Sequence, residues 1–205
     1  ALESPVPSFE LGNLGALGRL RRLSPSGEIP APVSLATDFF LYALNAQASR
    51  FWGEQGFSII ALSLEDDREN LQSQLARFPW DLARPRAILY KDTPLFIAEA
   101  CSLTALHDGC PGSKACGYRT LEIENAKGER FHVAHEQCKS IVYGDEAYSI
   151  ADRRPALEGM GIRDFRVDFL TRPYAAETAL EILRRVDRGE TMAKTHGANF
   201  GRRLL

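Results

Sequence analysis

"FSIIALSL", Phe57 to Leu64, is the segment that most restricts the folds open to this chain. Its apolar residues run almost without a break, and a strand can be apolar on both faces only where both faces are covered, as in a parallel sheet flanked by helices. The neighbouring sequence supplies the helices. "APVSLATDFFLYALNAQASRFWGEQG" reads as a strand followed by an amphipathic helix stopped at Gly56. "EDDRENLQSQLARF" reads as a helix with Asp66 and Asp67 in its first turn, where they favour the dipole. "PRAILYKDTPLF" is a further strand, ended by Pro94, and "SFELGNLGAL" is a strand running into a glycine-punctuated turn. Strand, helix, strand, helix, strand at this spacing is the βαβ pattern. The expected strands are Phe9 to Leu14, Val33 to Thr37, Ser58 to Leu64, Arg86 to Lys91 and Asp164 to Phe169.

After Cys101 the periodicity changes. "YRTLEIENAKGERFHVAHEQC" alternates on both sides of "NAKGE", which sets Leu121 and Ile123 opposite Phe131 and Val133 in a β-hairpin turned at Asn125 to Gly128. Beyond it, "SIADRRPALEGMGIRDFRVDFL" reads as helix, glycine stop and strand, and "AAETALEILRRVDRGE" as an amphipathic helix. The loose segments are the two ends and "LSPSGEIPAP".

With 44% hydrophobic and 25% charged residues and a net charge of -2, the chain has an ordinary globular composition and no global basic field for nucleic acid, although "GRLRRL" and "GRRLL" are local basic clusters. The longest apolar runs fall short of the ~20 residues that span a bilayer, so no membrane insertion is expected. The sequence opens without an initiator Met and reaches a strand-like segment almost at once, as a piece of a longer protein would.

All four cysteines fall between Cys101 and Cys138, spaced C-x8-C-x5-C-x21-C, three of them in the Gly- and Pro-rich stretch "CSLTALHDGCPGSKACG". Four thiolates are the donor set of a tetrahedral zinc site or of a cubane iron-sulfur cluster, and closeness in sequence lowers the entropy cost of gathering them. Spacing alone leaves a metal or cluster, disulfides such as Cys110 to Cys116, and unpaired thiols all open. His107 lies in the same loop and offers an alternative ligand, with His132 and His135 on the hairpin arm.

The order of "TDFFLYALNAQASRFWGEQGFSIIALSLEDDRENL", "DTPLFIAEACSLT", a glycine-cysteine loop, a hairpin ending in cysteine, "GIRDFRVDFL" and "THGANFGRRLL" resembles the carboxy-terminal half of peptidase family U32, the collagenase-like proteases, over most of the chain. The resemblance implies an α/β fold, part of a (β/α)8 TIM-type barrel with a β-hairpin insert carrying the cysteines. On that reading residues 1–100 are a partial α/β barrel, 101–140 the cysteine loop and hairpin insert, and 141–205 the strand-helix region completing the barrel. It implies an iron-sulfur cluster on Cys101, Cys110, Cys116 and Cys138, with zinc as the alternative; the five residues between Cys110 and Cys116 exceed the spacing of many relatives. It also implies a role in hydroxylating RNA bases or a ubiquinone precursor, the alternatives being a collagenase-like peptidase or a structural domain held by zinc or disulfides. The implied partners are RNA or a small-molecule substrate and the missing amino-terminal half of the chain, with a homodimer expected of the isolated fragment. The expected location is cytoplasmic.

No nucleophile elbow, no "HExxH" and no serine or cysteine locally paired with histidine appears in the sequence, so catalysis is assigned to the cluster and the barrel mouth rather than to a proteolytic triad. Asn45, Ser63, Glu65, Asp92 and Glu99 stand at or just past strand ends, where barrel enzymes place catalytic groups, although caps and solvated carboxylates explain such residues as readily. Arg166 alternates with Phe165 and Val167 on a strand and is a candidate for an anionic group or for an ion pair near Asp168. His196, in "THGANFGRR", has no assigned role.

Overall fold

Ile59, Ile60 and Ala61, the centre of the apolar run, form a strand that is at most 5% exposed. The computed structural model describes residues 8–23, 33–117, 119–193, 195–197 and 200. The chain divides into two compact units, Ala1–Leu89 with Asp152–Arg166 and Gly197–Leu205, and Tyr90–Ala151 with Val167–His196.

In the first unit β1 (Ser8–Leu11), β2 (Ser34–Thr37), β3 (Ile59–Ala61) and the start of β4 (Arg84–Lys91) are parallel neighbours in that order, with Glu10 beside Ala36, Ala36 beside Ile59 and Ile60 beside Pro85. Helices follow the strands as βαβ units require. α1 (Leu14–Arg22) begins at Asn13, whose side chain accepts from Ala16 N at 2.8 Å. α2 (Ala46–Glu54) begins at Asn45 and α3 (Arg68–Leu75) at Asp67, each capped the same way. Trp52 of α2 packs edge-on to Phe57, ring centroids 5.2 Å apart. Gln74 of α3, buried, donates to Ala43 O and Ser49 Oγ at 2.8 and 3.0 Å, so the α2 and α3 segments share a polar tie inside the core. After α6 (Arg154–Gly159), β10 (Asp164–Val167) pairs with β4.

Charges lie along this unit's strands in paired form. β2 and β3 separate β1 from β4, a gap of ~14 Å between flat strands. Across it Arg86 reaches Glu10 at 3.2 Å while holding Asp164 at 2.6 Å, and Arg166 pairs with both Glu10 and Asp38. Twist and curl of the sheet fold the outer strands over one face and bring these groups together.

In the second unit β5 (Pro94–Ala98), α4 (Ser102–Leu106), α5 (Ser113–Cys116), β6 (Leu121–Glu124), β7 (Arg130–Glu136) and β8 (Lys139–Gly144) follow one another, and the four strands form an antiparallel sheet ordered β5-β8-β7-β6. Leu121 pairs with Val133 and Ile123 with Phe131, as the alternation predicts, and Gly128 at φ 78° donates to Asn125 O to close the turn. β9 (Ala147–Ser149) pairs antiparallel with Tyr90 and Lys91 and parallel with β11 (Thr195–His196); α7 (Ala176–Asp187) completes the unit.

Several expectations need correction. The first strand stops at Leu11 rather than Leu14, because Asn13 caps a helix through the glycine-rich stretch. The helix expected after the second strand begins only at Ala46: a 3-10 turn over Phe39–Leu41 and Tyr42 at φ 47° precede it. Pro94 does not end a strand but starts β5, where the missing N–H is harmless on a strand that pairs along one edge only. β8 and β9 were not anticipated. Of the parallel strands, β1 to β4 are shown, and the fold is mixed α/β with an antiparallel sheet bearing the cysteine segments; no closed ring of eight parallel strands forms among the described residues. "GRLRRL" lies on α1, whereas Ser24–Pro32 of the loose segment and the final "GRRLL" lie outside the described residues.

Gly161 follows α6 at φ 97°, and a Cβ there would stand 3.2 Å from the Trp80 ring. Gly161→Ala combines left-handed strain with that close approach and should destabilise the chain by about 1–3 kcal/mol, measured as a lower urea midpoint with unchanged slope.

Candidate functional site

The antiparallel register decides where the cysteines go. Ala98 at the end of β5 pairs with Ser140 at the start of β8, and His135 near the end of β7 pairs with the same Ser140. Cys101, three residues past β5, and Cys138, in the β7–β8 turn, therefore belong to the same end of the sheet. β6 enters at that end too, since Leu121 pairs with Val133.

His135, 8% exposed, ties these segments together. Its Nδ1 lies 2.8 Å from Arg119 O, a carbonyl that can only accept, so Nδ1 carries the proton. Nε2 is then the acceptor, and the Ser102 hydroxyl donates to it at 2.7 Å. Ser102 N donates to Ser140 Oγ at 2.8 Å, and Arg119 N donates to Cys116 O at 3.1 Å. One imidazole thus spans the residue after Cys101 and a residue one turn beyond Cys116. A serine donating to a histidine is the first half of a nucleophile relay, and 33 residues of separation hid it from any local motif. The Ser102 N–H is itself bonded to Ser140 Oγ, so the serine is held at both its backbone and its hydroxyl, a clip between these segments.

No disulfide joins the four cysteines: Cys101 and Cys116 are half-buried, Cys110 and Cys138 exposed. Cys101 precedes α4, and the N–H of Thr104, then that of Leu103, holds its thiol below the ordinary value without closing a full capping bond. Cys110 lies on the exposed turn after Asp108 and Gly109, both at positive φ. Cys138 shares a two-residue turn with Gln137, at φ 63° and 49°, the sign that a type I′ hairpin demands at both positions. The donor chemistry suits a thiolate-bound metal or cluster, yet no three His, Cys, Asp or Glu side chains among the described residues are grouped as ligands. His107 is exposed, 3.4 Å from an Arg119 nitrogen.

The other candidates do not assemble. Asn45 caps α2, accepting from Ala48 N, and Ser63 Oγ accepts from Glu65 N. Glu99, largely exposed, pairs with Lys139 at 2.8 Å. Arg166 is committed to Glu10 and Asp38, which fills the role of an anion from within the chain. His196 Nε2 lies 3.4 Å from Thr93 Oγ1.

Asp92 is different: its side chain is 1% exposed and faces Arg172 at 2.7 Å. The Arg172 Nε–H is off the line to Oδ1, so that contact is an ion pair without a directed hydrogen bond, while the same guanidinium donates to Gly144 O and Asp145 O. Tyr174 donates to Asp92 at 2.9 Å, which leaves Tyr90 to donate to Tyr174 across 3.1 Å. Burial, reinforced by Tyr90 and the Asp92 charge, pushes the Tyr174 phenol far up. Beside this cluster an open groove of about 440 Å³ is lined by Arg130, His132, Asp145, Arg172, Tyr174 and Thr178. His132 Nε2 is shielded there with no hydrogen-bond partner. Sequence reading named Asp92 but missed Arg172 and Tyr174, whose only signal was the polar "TRPY" after a strand.

The chain matches no protein-family model and no curated protein. Among solved structures it is similar to the crystal structure of the Bacillus cereus spore cortex-lytic enzyme SleL, at 12% identity and a TM-score of 0.33, over 92% of this chain and 49% of that one. The chain thus spans about half the length of that structure, and a likeness of this size carries no argument about fold or chemistry. No helix among the described residues is long and apolar enough to cross a membrane.

Two outcomes are expected. Arg172→Ala strands a buried carboxylate and should cost about 3–5 kcal/mol, seen in denaturant unfolding, whereas an exposed pair such as Glu99 and Lys139 should tolerate Glu99→Ala within ~1 kcal/mol. Because backbone N–H donors favour the thiolate of Cys101, its alkylation rate should rise with pH through a midpoint lower than that of a cysteine in an unstructured peptide and then level off, as followed by peptide-resolved mass spectrometry.

Proposed function

We propose that this chain is the carboxy-terminal part of a U32-type barrel protein and that it carries an iron-sulfur cluster on Cys101, Cys110, Cys116 and Cys138, serving hydroxylation of an RNA base or a quinone precursor. The observation that carries the reading is the gathering of cysteine-bearing segments at one end of the antiparallel sheet, with none of the four in a disulfide. The parallel β1–β4 run and the curl that joins Glu10 to Arg86 and Arg166 support the barrel assignment.

When bound, the cluster supplies one-electron chemistry that side chains lack, and a separate oxygen donor supplies the atom transferred. The chain's own part is to hold thiolates. Cys101 is biased to that form by its backbone donors, Cys116 and Cys138 are set by α5 and by the β7–β8 turn, and Cys110 rides an exposed turn able to close over a cofactor. Leu95, Phe96 and Ile97 on the edge strand β5, and Leu180 and Leu183 on α7, are large apolar residues left 45–58% exposed, as a missing amino-terminal half or a second copy would cover. The assignment to the cytoplasm goes with this reading, since such clusters need a reducing setting.

Anaerobic reconstitution with iron and sulfide should give about four of each per chain with visible charge-transfer absorption. Cys101→Ser or Cys138→Ser should lose most of that iron. Mass spectrometry of RNA and quinones from cells lacking the full-length parent should show a product lighter by one oxygen, restored by the parent and not by its Cys138→Ser form. Zinc in place of iron, unchanged iron in both serine variants, or cleavage of gelatin by a metal-free chain would overturn the proposal.

A further inference from the structure

Ser102 and His135 form a polar pair whose bonds run to Ser140 and Arg119, each within three residues of a cysteine. His135 accepts from Ser102 Oγ at 2.7 Å and donates to Arg119 O at 2.8 Å; Ser102 N is held by Ser140 Oγ at 2.8 Å; and Arg119 N is held by Cys116 O at 3.1 Å. His135 itself sits on β7, three residues before Cys138, and is buried. A buried imidazole fixed at both nitrogens has one orientation and one tautomer, so its two ends set the distance between the chain segments they hold. Those segments have little else to fix them. α4 and α5 are one turn or so long, and Leu103 is the only buried residue of α4, with none in α5.

We propose that His135 and Ser102 are positioning residues for the thiols: the Nε2 end anchors the Cys101 segment, and the Nδ1 end anchors the Cys116 segment, both against the strand that leads to Cys138. The proposal rests on the cluster reading for what the thiols bind, but the anchoring belongs to the chain alone. Outer partners of metal ligands commonly change affinity by 10- to 100-fold. Cys110, on its exposed turn, lies outside the clip, as does the sulfur of Cys138 at the hairpin tip.

The two ends can be cut separately. Asparagine at position 135 places an amide N–H near the position of Nδ1 but has nothing at Nε2. In the metal-free chain, peptide-resolved alkylation should therefore show faster modification of Cys101 alone in Ser102→Ala and His135→Asn, and of Cys101 and Cys116 together in His135→Ala, with Cys110 and Cys138 unchanged throughout. After anaerobic reconstitution, His135→Ala should need roughly ten-fold more iron for the same occupancy, or lose iron correspondingly faster to a chelator. Equal acceleration at all four cysteines in Ser102→Ala and His135→Asn would mean general loosening and overturn the proposal, as would no change at Cys101. A wild-type chain that takes up no iron while showing the selective alkylation pattern would remove the cluster and leave the clip standing. Iron uptake in the wild type with full uptake and unchanged alkylation in His135→Ala would do the reverse.

Discussion

A strand that is apolar on both faces cannot exist at a surface, and β3 with Ile60 at 0% exposure is such a strand. Everything around it follows from covering two faces. α2 supplies Trp52 and α3 supplies Leu71 and Leu75, while Leu35 of β2 and Ile88 of β4 continue the apolar layers sideways. Backbone polar groups brought into that interior find partners in the parallel ladder; of the polar side chains admitted, Thr37 Oγ1 accepts from Ala61 N at 2.8 Å and the Gln74 amide nitrogen donates to Ala43 O, while Gln74 Oε1 and Asp66 Oδ2 are buried without a hydrogen-bond partner. Two sets of part-buried charges in the same unit, Arg86 with Glu10 and Asp164 and Arg166 with Glu10 and Asp38, compensate one another's desolvation.

The second unit obeys a different constraint. Its antiparallel sheet has few buried residues, Val133, Val142 and Tyr143 among them, so polar contacts carry more of its definition. They fall into two groups at opposite ends. His135, Ser102 and Ser140 lie at the cysteine end; Gly144, Arg172 and Asp92 mark the other, where the groove with His132 opens. Glu136 pairs with Lys139 and Phe131 with Gly144, five residues or ~17 Å along β7. That length of strand separates the groove end of β7 from the turn that carries Cys138.

Local pattern made some of this readable. Alternation around Asn125–Gly128 fixed both partners of the β6–β7 register, because period-two burial admits one pairing, and the unbroken apolar run located β3. Caps were harder. Asn13 was lost among glycines, and Asn45, weighed as a catalytic candidate, is a cap. Pro94 misled because a proline at the first residue of an edge strand looks the same in sequence as one that ends a strand. β8 and β9 escaped because "SIVYGDEAYS" carries apolar and polar residues in no clean period: Ser140, Val142, Tyr143, Ala147 and Tyr148 are all buried. The clip and the Asp92 cluster join residues 33 and 80 or more positions apart, and no local rule reaches that far.

The β7–β8 turn places a thiol where the backbone would prefer no side chain at all. At φ 63° a cysteine bears a steric cost of about 1 kcal/mol or more that glycine would not. Cys138→Gly would therefore make a better hairpin while removing one thiol of the proposed ligand set. Evolution under a demand for stability alone would drift toward Asn-Gly at Gln137 and Cys138, the pair that such turns favour, so the persistence of the thiol in a lineage becomes a gauge of whether its chemistry is still in use.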